Sequence, residues 1–261
     1  MLTAIYSAVI LVATTLGAFV GLGGGVIIKP VLDFIGKEPR MQVDFLSAAA
    51  VFTMSVVSTG KCIKRRRKFD IGIILFIAAG SITGGWLGSA VTDYIGTLIA
   101  QQTIRCIQAF VLAALLTAVS IYVSRCSFSF NVKNKLAILL VGLVLGFFAS
   151  FLGIGGGPIN VAVLTLFFSM NVKDSAVYSV AIIFFSQLSK LITILATSGI
   201  SPYAHQWKTL LFILPAAVIG GFLGSSFNRK YDDKIIRKVF VTVMVLLIML
   251  NIYNGVNALI Q

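Results

Sequence analysis

Long apolar runs follow one another along the chain, separated by short polar stretches. They lie near residues 3–22, 44–63, 71–92, 104–123, 136–152, 175–198 and 208–227, with an eighth near 235–254. As a helix, each is about long enough to cross ~30 Å of hydrocarbon. The first and fifth runs differ from the rest. Each enters a glycine cluster and continues as a short second apolar piece, Val26 to Ile35 and Ile159 to Met170. Ten to twelve helical residues reach only about 15–18 Å, half a bilayer.

The pattern repeats. Gly21-Leu22-Gly23-Gly24-Gly25 matches Gly153-Ile154-Gly155-Gly156-Gly157 at a shift of 132 residues, which also places Ser47 on Ser179, Phe52 on Phe184 and Arg105 on Arg237. Gly84-Gly85-Trp86-Leu87-Gly88-Ser89 matches Gly220-Gly221-Phe222-Leu223-Gly224-Ser225 at a shift of 136. Two motifs in one order at nearly one shift indicate duplicated halves. These are residues 1–125 and 133–261, joined by the polar stretch Arg125 to Lys135.

Composition agrees with a membrane setting. Of 261 residues, 58% are hydrophobic and only 11% charged, and mean hydropathy is +1.02. Soluble domains carry about 25% charged residues. An ordinary globular enzyme, a disordered chain and a disulfide scaffold are excluded. Cys62, Cys106 and Cys126 have no metal-ligand spacing. The apolar start, Met1 to Val20, has no preceding Lys or Arg and reads as a first span, not a removable signal. The net charge of +13 would suggest nucleic acid in a soluble protein. Here the cations sit in short loops, where they anchor a chain to an anionic leaflet.

Charge placement bears on topology. If the glycine-broken elements cross fully, each half has four spans and the halves are parallel. If those elements leave on the side they entered, each half crosses an odd number of times and the halves are inverted. With Lys61 and the run from Lys64 to Lys68 inside, the parallel arrangement puts 10 cations inside and 8 outside, and the inverted one 15 and 3. The positive-inside rule favours inversion, with both termini outside. The expected fold is therefore all-α and polytopic. It has two inverted repeats, each a glycine-broken or re-entrant element plus three transmembrane helices.

The glycine clusters lack the Gly-x-Gly-x-x-Gly spacing of a dinucleotide site and the Gly-Lys-Ser/Thr of a P-loop. They can break a helix at depth, because glycine adopts dihedrals closed to other residues and exposes bare backbone. Irregular backbone survives in a membrane only where protein or water satisfies it. A half-helix starting there aims unpaired N–H groups and a positive dipole end at whatever it faces. Pro158 suits a first-turn position. Two such ends meeting near the midplane form an anion site, with Gly23, Gly24, Gly25, Gly155, Gly156, Gly157 and Pro158 as its backbone. The competing role, close helix packing, better suits Gly84, Gly85, Gly88, Gly220, Gly221 and Gly224, because packing motifs space small residues four apart.

These motifs, Gly21-x-Gly23-Gly24-Gly25 followed by Pro30 and Gly153-x-Gly155-Gly156-Gly157-Pro158, resemble the twin glycine motifs of the sulfite exporter TauE/SafE family. The resemblance extends over nearly the whole chain. It implies an inner-membrane transporter of sulfite, thiosulfate, sulfoacetate or another organosulfonate. The first half has Val26 where the second has Pro158, so the two breaks need not share one geometry.

Polar residues within spans are functional hypotheses. Lys29 could offer its charge to an anion or pair with Asp33 at i+4. Gln187 and Lys190 share a helix face and could donate to sulfonate oxygens, unless the lysine snorkels to the surface. Ser55 and Ser58 are their counterparts in the first half. Asn160 offers a side-chain N–H just past the second cluster. Arg105 reads as an interfacial anchor and His205 as a loop residue. Asp33 is the one carboxylate placed deep in a span. Paired catalytic carboxylates, a Ser/His/Asp set and an HExxH pattern are absent, so neither enzyme nor cofactor is expected. The reading is a secondary carrier of small sulfur-containing anions, with a passive anion channel as the alternative. Expected partners are that anion and the lipid bilayer, with protons as candidate coupling ion and a homodimer as candidate assembly; nucleic acid is not expected.

Overall fold

The computed structural model describes residues 2–35, 40–64, 70–125, 128–152, 155–199, 203 and 206–260. Gly153, Ile154, Cys126, His205 and the run Arg65 to Lys68 lie outside the described residues, as do the side chains of Asp33 and Arg105.

The described residues form ten α-helices. They are α1 (Leu2–Val20), α2 (Gly25–Ile35), α3 (Arg40–Lys64), α4 (Ile71–Leu98), α5 (Gln101–Arg125), α6 (Lys135–Phe151), α7 (Gly157–Phe168), α8 (Val172–Ser198), α9 (Trp207–Lys230) and α10 (Asp233–Ile260). Six of them, α3, α4, α5, α8, α9 and α10, are long and apolar enough to cross a membrane. Backbone groups unmet in hydrocarbon force the chain into helices there, and short polar side chains set where helices begin. Asp70, Asn134 and Asn171 cap α4, α6 and α8 by accepting from Ile73, Leu136 and Asp174 N–H groups, which meets donors the helix cannot.

The two glycine-interrupted segments fold back. After α6 and α7, the chain returns to the face it left: Phe130 N–H donates to the Leu166 carbonyl at 2.6 Å and Val132 N–H to that of Phe167 at 2.9 Å. The start of α6 and the end of α7 thus lie at one end of the molecule. In the first segment, a Cβ on Gly17 would stand 2.3 Å from the Gly24 nitrogen, and one on Gly24 3.1 Å from the Ala13 carbonyl oxygen. The chain leaving α1 therefore doubles back along it. Left-handed glycines make both reversals, Gly23 (φ 75°) and Gly24 (φ 74°) in one, Gly155 (φ 69°) and Gly156 (φ 84°) in the other. These positions correspond at the shift of 132. Pro158 enters the first turn of α7 without changing that geometry. The first and fifth apolar runs are consequently hairpin arms and not simple spans.

Helix pairing exchanges between the halves. α1 lies along α9 and α6 along α4, while α3 packs on α8 and α5 on α10. If α1–α5 are matched in order with α6–α10, the first two contacts are one contact seen twice. Phe52 on α3 and Phe184 on α8, related by the same shift, stack on each other with centroids 5.4 Å apart.

Small residues hold the exchanged pairs together. Cβ atoms on Gly80, Gly84 and Gly88 of α4 would fall 2.1, 1.9 and 2.4 Å from carbonyl oxygens of Leu139, Leu143 and Phe147 on α6. Gly220 and Gly224 of α9 meet Thr14 and Thr15 of α1 just as closely. The packing role of these glycines is the observed one.

Among the described residues, most cations gather at one end, here the basic end. There Lys61 Nζ donates to the Phe222 carbonyl at 3.0 Å and Lys173 Nζ to that of Tyr231 at 2.8 Å. Asp70 N–H donates to the Tyr178 hydroxyl at 2.7 Å. At the opposite end, Tyr203 stacks on Phe45 with centroids 4.4 Å apart, and Gln206 donates to Gln42 at 2.6 Å.

Candidate functional site

The two glycine turns meet inside the molecule. A Cβ on Gly157 would stand 2.0 Å from the Leu22 carbonyl oxygen. Ser179 of α8 donates to the Gly21 carbonyl at 2.7 Å, with the Gly157 carbonyl 3.4 Å away. One hydroxyl thus pins both turns to the same helix.

Beside the second turn lies a cavity of about 1130 Å³. Its walls come from α4, α6, α8 and the starts of α2, α3 and α5. They are rich in hydroxyls: Ser81, Ser89 and Thr92 on α4, Ser150 on α6, Ser186, Ser189 and Thr193 on α8. Gly155 and Gln187 lie on one wall, and the Gln187 Nε2 would be 2.8 Å from a Cβ on Gly155. Gln187 is 6% exposed.

Charge enters this cavity as a cluster. Lys29 from α2 pairs with Asp44 from α3, and Lys190 from α8 reaches the same carboxylate oxygen at 3.4 Å. All three line the cavity and are its charged wall residues among the described ones. Two ammonium groups share one carboxylate, which leaves a net positive charge. The three side chains are half-buried, which is tolerable because each charge has an opposite neighbour.

Of the expected site residues, Lys29, Lys190, Gln187 and Gly155 come together on the cavity wall. The others lie behind it. Gly23 abuts the Ile183 side chain and Gly24 packs on α1, and Gly25 opens α2. Gly156 and Gly157 form the turn into α7, and Pro158 and Asn160 are buried in its first turn. The Asn160 side-chain amide sits under Gly156. Ser55 is buried and donates to the Phe52 carbonyl at 2.7 Å; Ser58 is also buried. The glycines thus shape the turns more than they line the pocket.

The carboxylate on the cavity wall is Asp44, in the second turn of α3, a residue the sequence reading did not single out. Lys29 meets a carboxylate across helices, that of Asp44; the side chain of Asp33, its expected partner at i+4, lies outside the described residues. Asp44 opens the predicted 44–63 run, where a charge looks like a boundary. α3 begins at Arg40, before the apolar limit, and its first turns carry the acid into the wall. Tyr203, buried and on the cavity wall, had no sequence signal, since it lies in a loop between spans.

An all-helical polytopic bundle around a charged, hydroxyl-lined cavity is the architecture of a membrane transporter. Residues 6–250 match the family model described as "Sulfite exporter TauE/SafE", and the chain belongs to that family. It is also similar to two curated proteins, each named a probable membrane transporter. YunE of Bacillus subtilis (strain 168) is 26% identical, the alignment covering 94% of this chain and 96% of that one. MJ0441 of Methanocaldococcus jannaschii is 25% identical, covering 88% and 87%. No solved structure matches the chain. The protein is a multi-pass integral membrane transporter, and not an enzyme.

Proposed function

We propose that the protein is a secondary carrier for small sulfur-containing anions, sulfite, thiosulfate or an organosulfonate such as sulfoacetate, and that the cavity beside the second glycine turn is its binding site. The observation that carries this reading is the net positive Lys29–Asp44–Lys190 cluster facing the cavity together with the Gln187 amide. Lysine ammonium groups attract the charge; the Gln187 N–H and the wall hydroxyls supply directional donors to oxyanion oxygens. The second glycine turn brings bare backbone up to the same space.

The proposed topology is two inverted repeats, residues 1–125 and 133–261, in the cell's inner membrane with the basic end facing the cytoplasm. Each hairpin enters and leaves on one side, so each half makes three crossings. The cavity then opens away from the cytoplasm. α4 and α8 stand on either side of it, while their counterparts α9 and α3 pack directly, a Cβ on Gly221 falling 2.8 Å from the Met54 carbonyl oxygen. Such asymmetry between matched pairs suits alternating access, in which the open and closed pairs trade places.

A flux assay in proteoliposomes with sulfite, thiosulfate and sulfoacetate tests the reading. Saturable uptake is expected, and losing a charge-assisted hydrogen bond in Lys190→Ala or Gln187→Ala should cost about 1.5–3 kcal/mol, roughly ten- to a hundredfold in KM. Unchanged flux in both variants removes the site; flux that does not saturate favours an anion channel.

A further inference from the structure

The charge of the cluster constrains what can occupy it. One oxygen of Asp44 faces Lys29 from α2 and Lys190 from α8. Tyr203, from the turn before α9, lines the same cavity. The neighbouring Gln42–Gln206 pair is uncharged. Counted over the described residues of the wall, with both lysines and Asp44 ionised, the empty cluster carries one positive charge. A monoanion seated on it brings the site to neutrality. A dianion overshoots to one negative charge among half-buried groups, where an uncompensated charge is costly. It also competes with Asp44 for the same two ammonium groups.

We propose that Asp44 is a resident counter-anion that yields its lysines to a doubly charged substrate and takes up one proton as it does so. The carboxylate occupies the ammonium pair when the cavity is empty. A dianion displaces it, and the proton that binds an Asp44 carboxylate oxygen restores neutrality. A monoanion needs no such proton. One site therefore admits both charge classes, and only the dianion brings a proton with it. This inference rests on the cavity being the anion site. Asp44 thereby matches the charge of the site to that of its occupant, which the glycine turns and hydroxyls cannot do.

The chain has two tryptophans, and Trp86 lies on the cavity wall. In a Trp207→Phe background its fluorescence reports occupancy of the purified protein in detergent. Thiosulfate serves as a dianion and methanesulfonate as a monoanion; neither changes its own charge between about pH 5 and pH 8, the range in which a carboxylate can exchange its proton with the site. The Kd for thiosulfate should fall as pH falls, by up to about tenfold per unit, the slope of one linked proton. That for methanesulfonate should stay flat. Asp44→Asn should abolish the thiosulfate slope and hold its affinity at the low-pH level throughout, while Asp44→Glu keeps a slope. A second measurement needs no variant: in weak buffer, thiosulfate should draw about one proton from solution per site and methanesulfonate none.

A thiosulfate slope that persists in Asp44→Asn overturns the role of Asp44, and so does thiosulfate binding without proton uptake. In both cases the cavity remains an anion site. Absence of binding by either anion in the unaltered protein overturns the cavity reading itself, and the inference with it.

Discussion

Single side chains decide whether the two turns can meet. Gly157 lies so close to the Leu22 carbonyl oxygen that even a methyl group there has no room, at 2.0 Å. Gly157→Ala should destabilise the protein by about 1–3 kcal/mol, the usual cost of overpacking, read as a lower midpoint of thermal unfolding in detergent. Ser179→Ala removes the hydroxyl that holds the Gly21 carbonyl and should cost about 1 kcal/mol. The glycine runs were legible in the sequence because few other roles ask for three glycines together. Which of them face the cavity was not legible. That depends on how the turns rotate against α8, where Ile183 covers Gly23 and Gln187 stands beside Gly155. Asp44 stayed hidden for a related reason. Hydropathy trims a span at its charges, and only the opposing lysines, from elements near and far in sequence, show why an acid is retained there.

Helices met their expected limits closely where caps or polar turns fixed them, as with α8, expected over 175–198 and observed as Val172–Ser198. They ran longer where polar residues satisfied themselves on the helix. α4 was expected to stop at residue 92 but continues to Leu98, and Thr92 returns its hydroxyl to the Gly88 carbonyl at 2.9 Å. The α4–α6 contact depends on backbone touching backbone. Gly84→Leu should separate the two helices and abolish a folded, monodisperse protein in size-exclusion chromatography, because the obstacle is a carbonyl and cannot swing aside. Gly60→Ala in α3 is the matched control. Nothing lies within 4 Å of its added Cβ, and the better helix former should raise stability by about 0.5–1 kcal/mol.

The orientation of the whole molecule can be read from either side of the membrane. Cysteines placed singly in a cysteine-free background should react with an impermeant maleimide on intact cells at Lys208, and not at Lys133 or Lys173. Reaction at Lys173 and not at Lys208 would overturn the inverted arrangement. Ser58, buried at 4% exposure and the counterpart of Lys190, tests the exchange of open and closed pairs. Ser58→Cys should be protected at rest and gain reactivity from the cytoplasmic side when substrate drives turnover. The repeat and the bias of cations were visible in the sequence. The way the halves interlock was not, since the pairing of α1 with α9 and of α6 with α4 joins residues about two hundred and about sixty positions apart, beyond the reach of local periodicity.

That interlocking has a consequence for how the molecule can be divided. Each hairpin is clasped by a helix encoded in the opposite half of the chain, so a blade passed between residues 125 and 133 would leave both pieces with an orphaned arm. Produced as separate polypeptides, the two should each fail to mature alone and regain a joint fold only when co-expressed. On the alternating-access reading proposed above, the bodies that shift past each other during transport are likewise mosaics of the two halves. Chain order and packing thus cut the molecule along different lines.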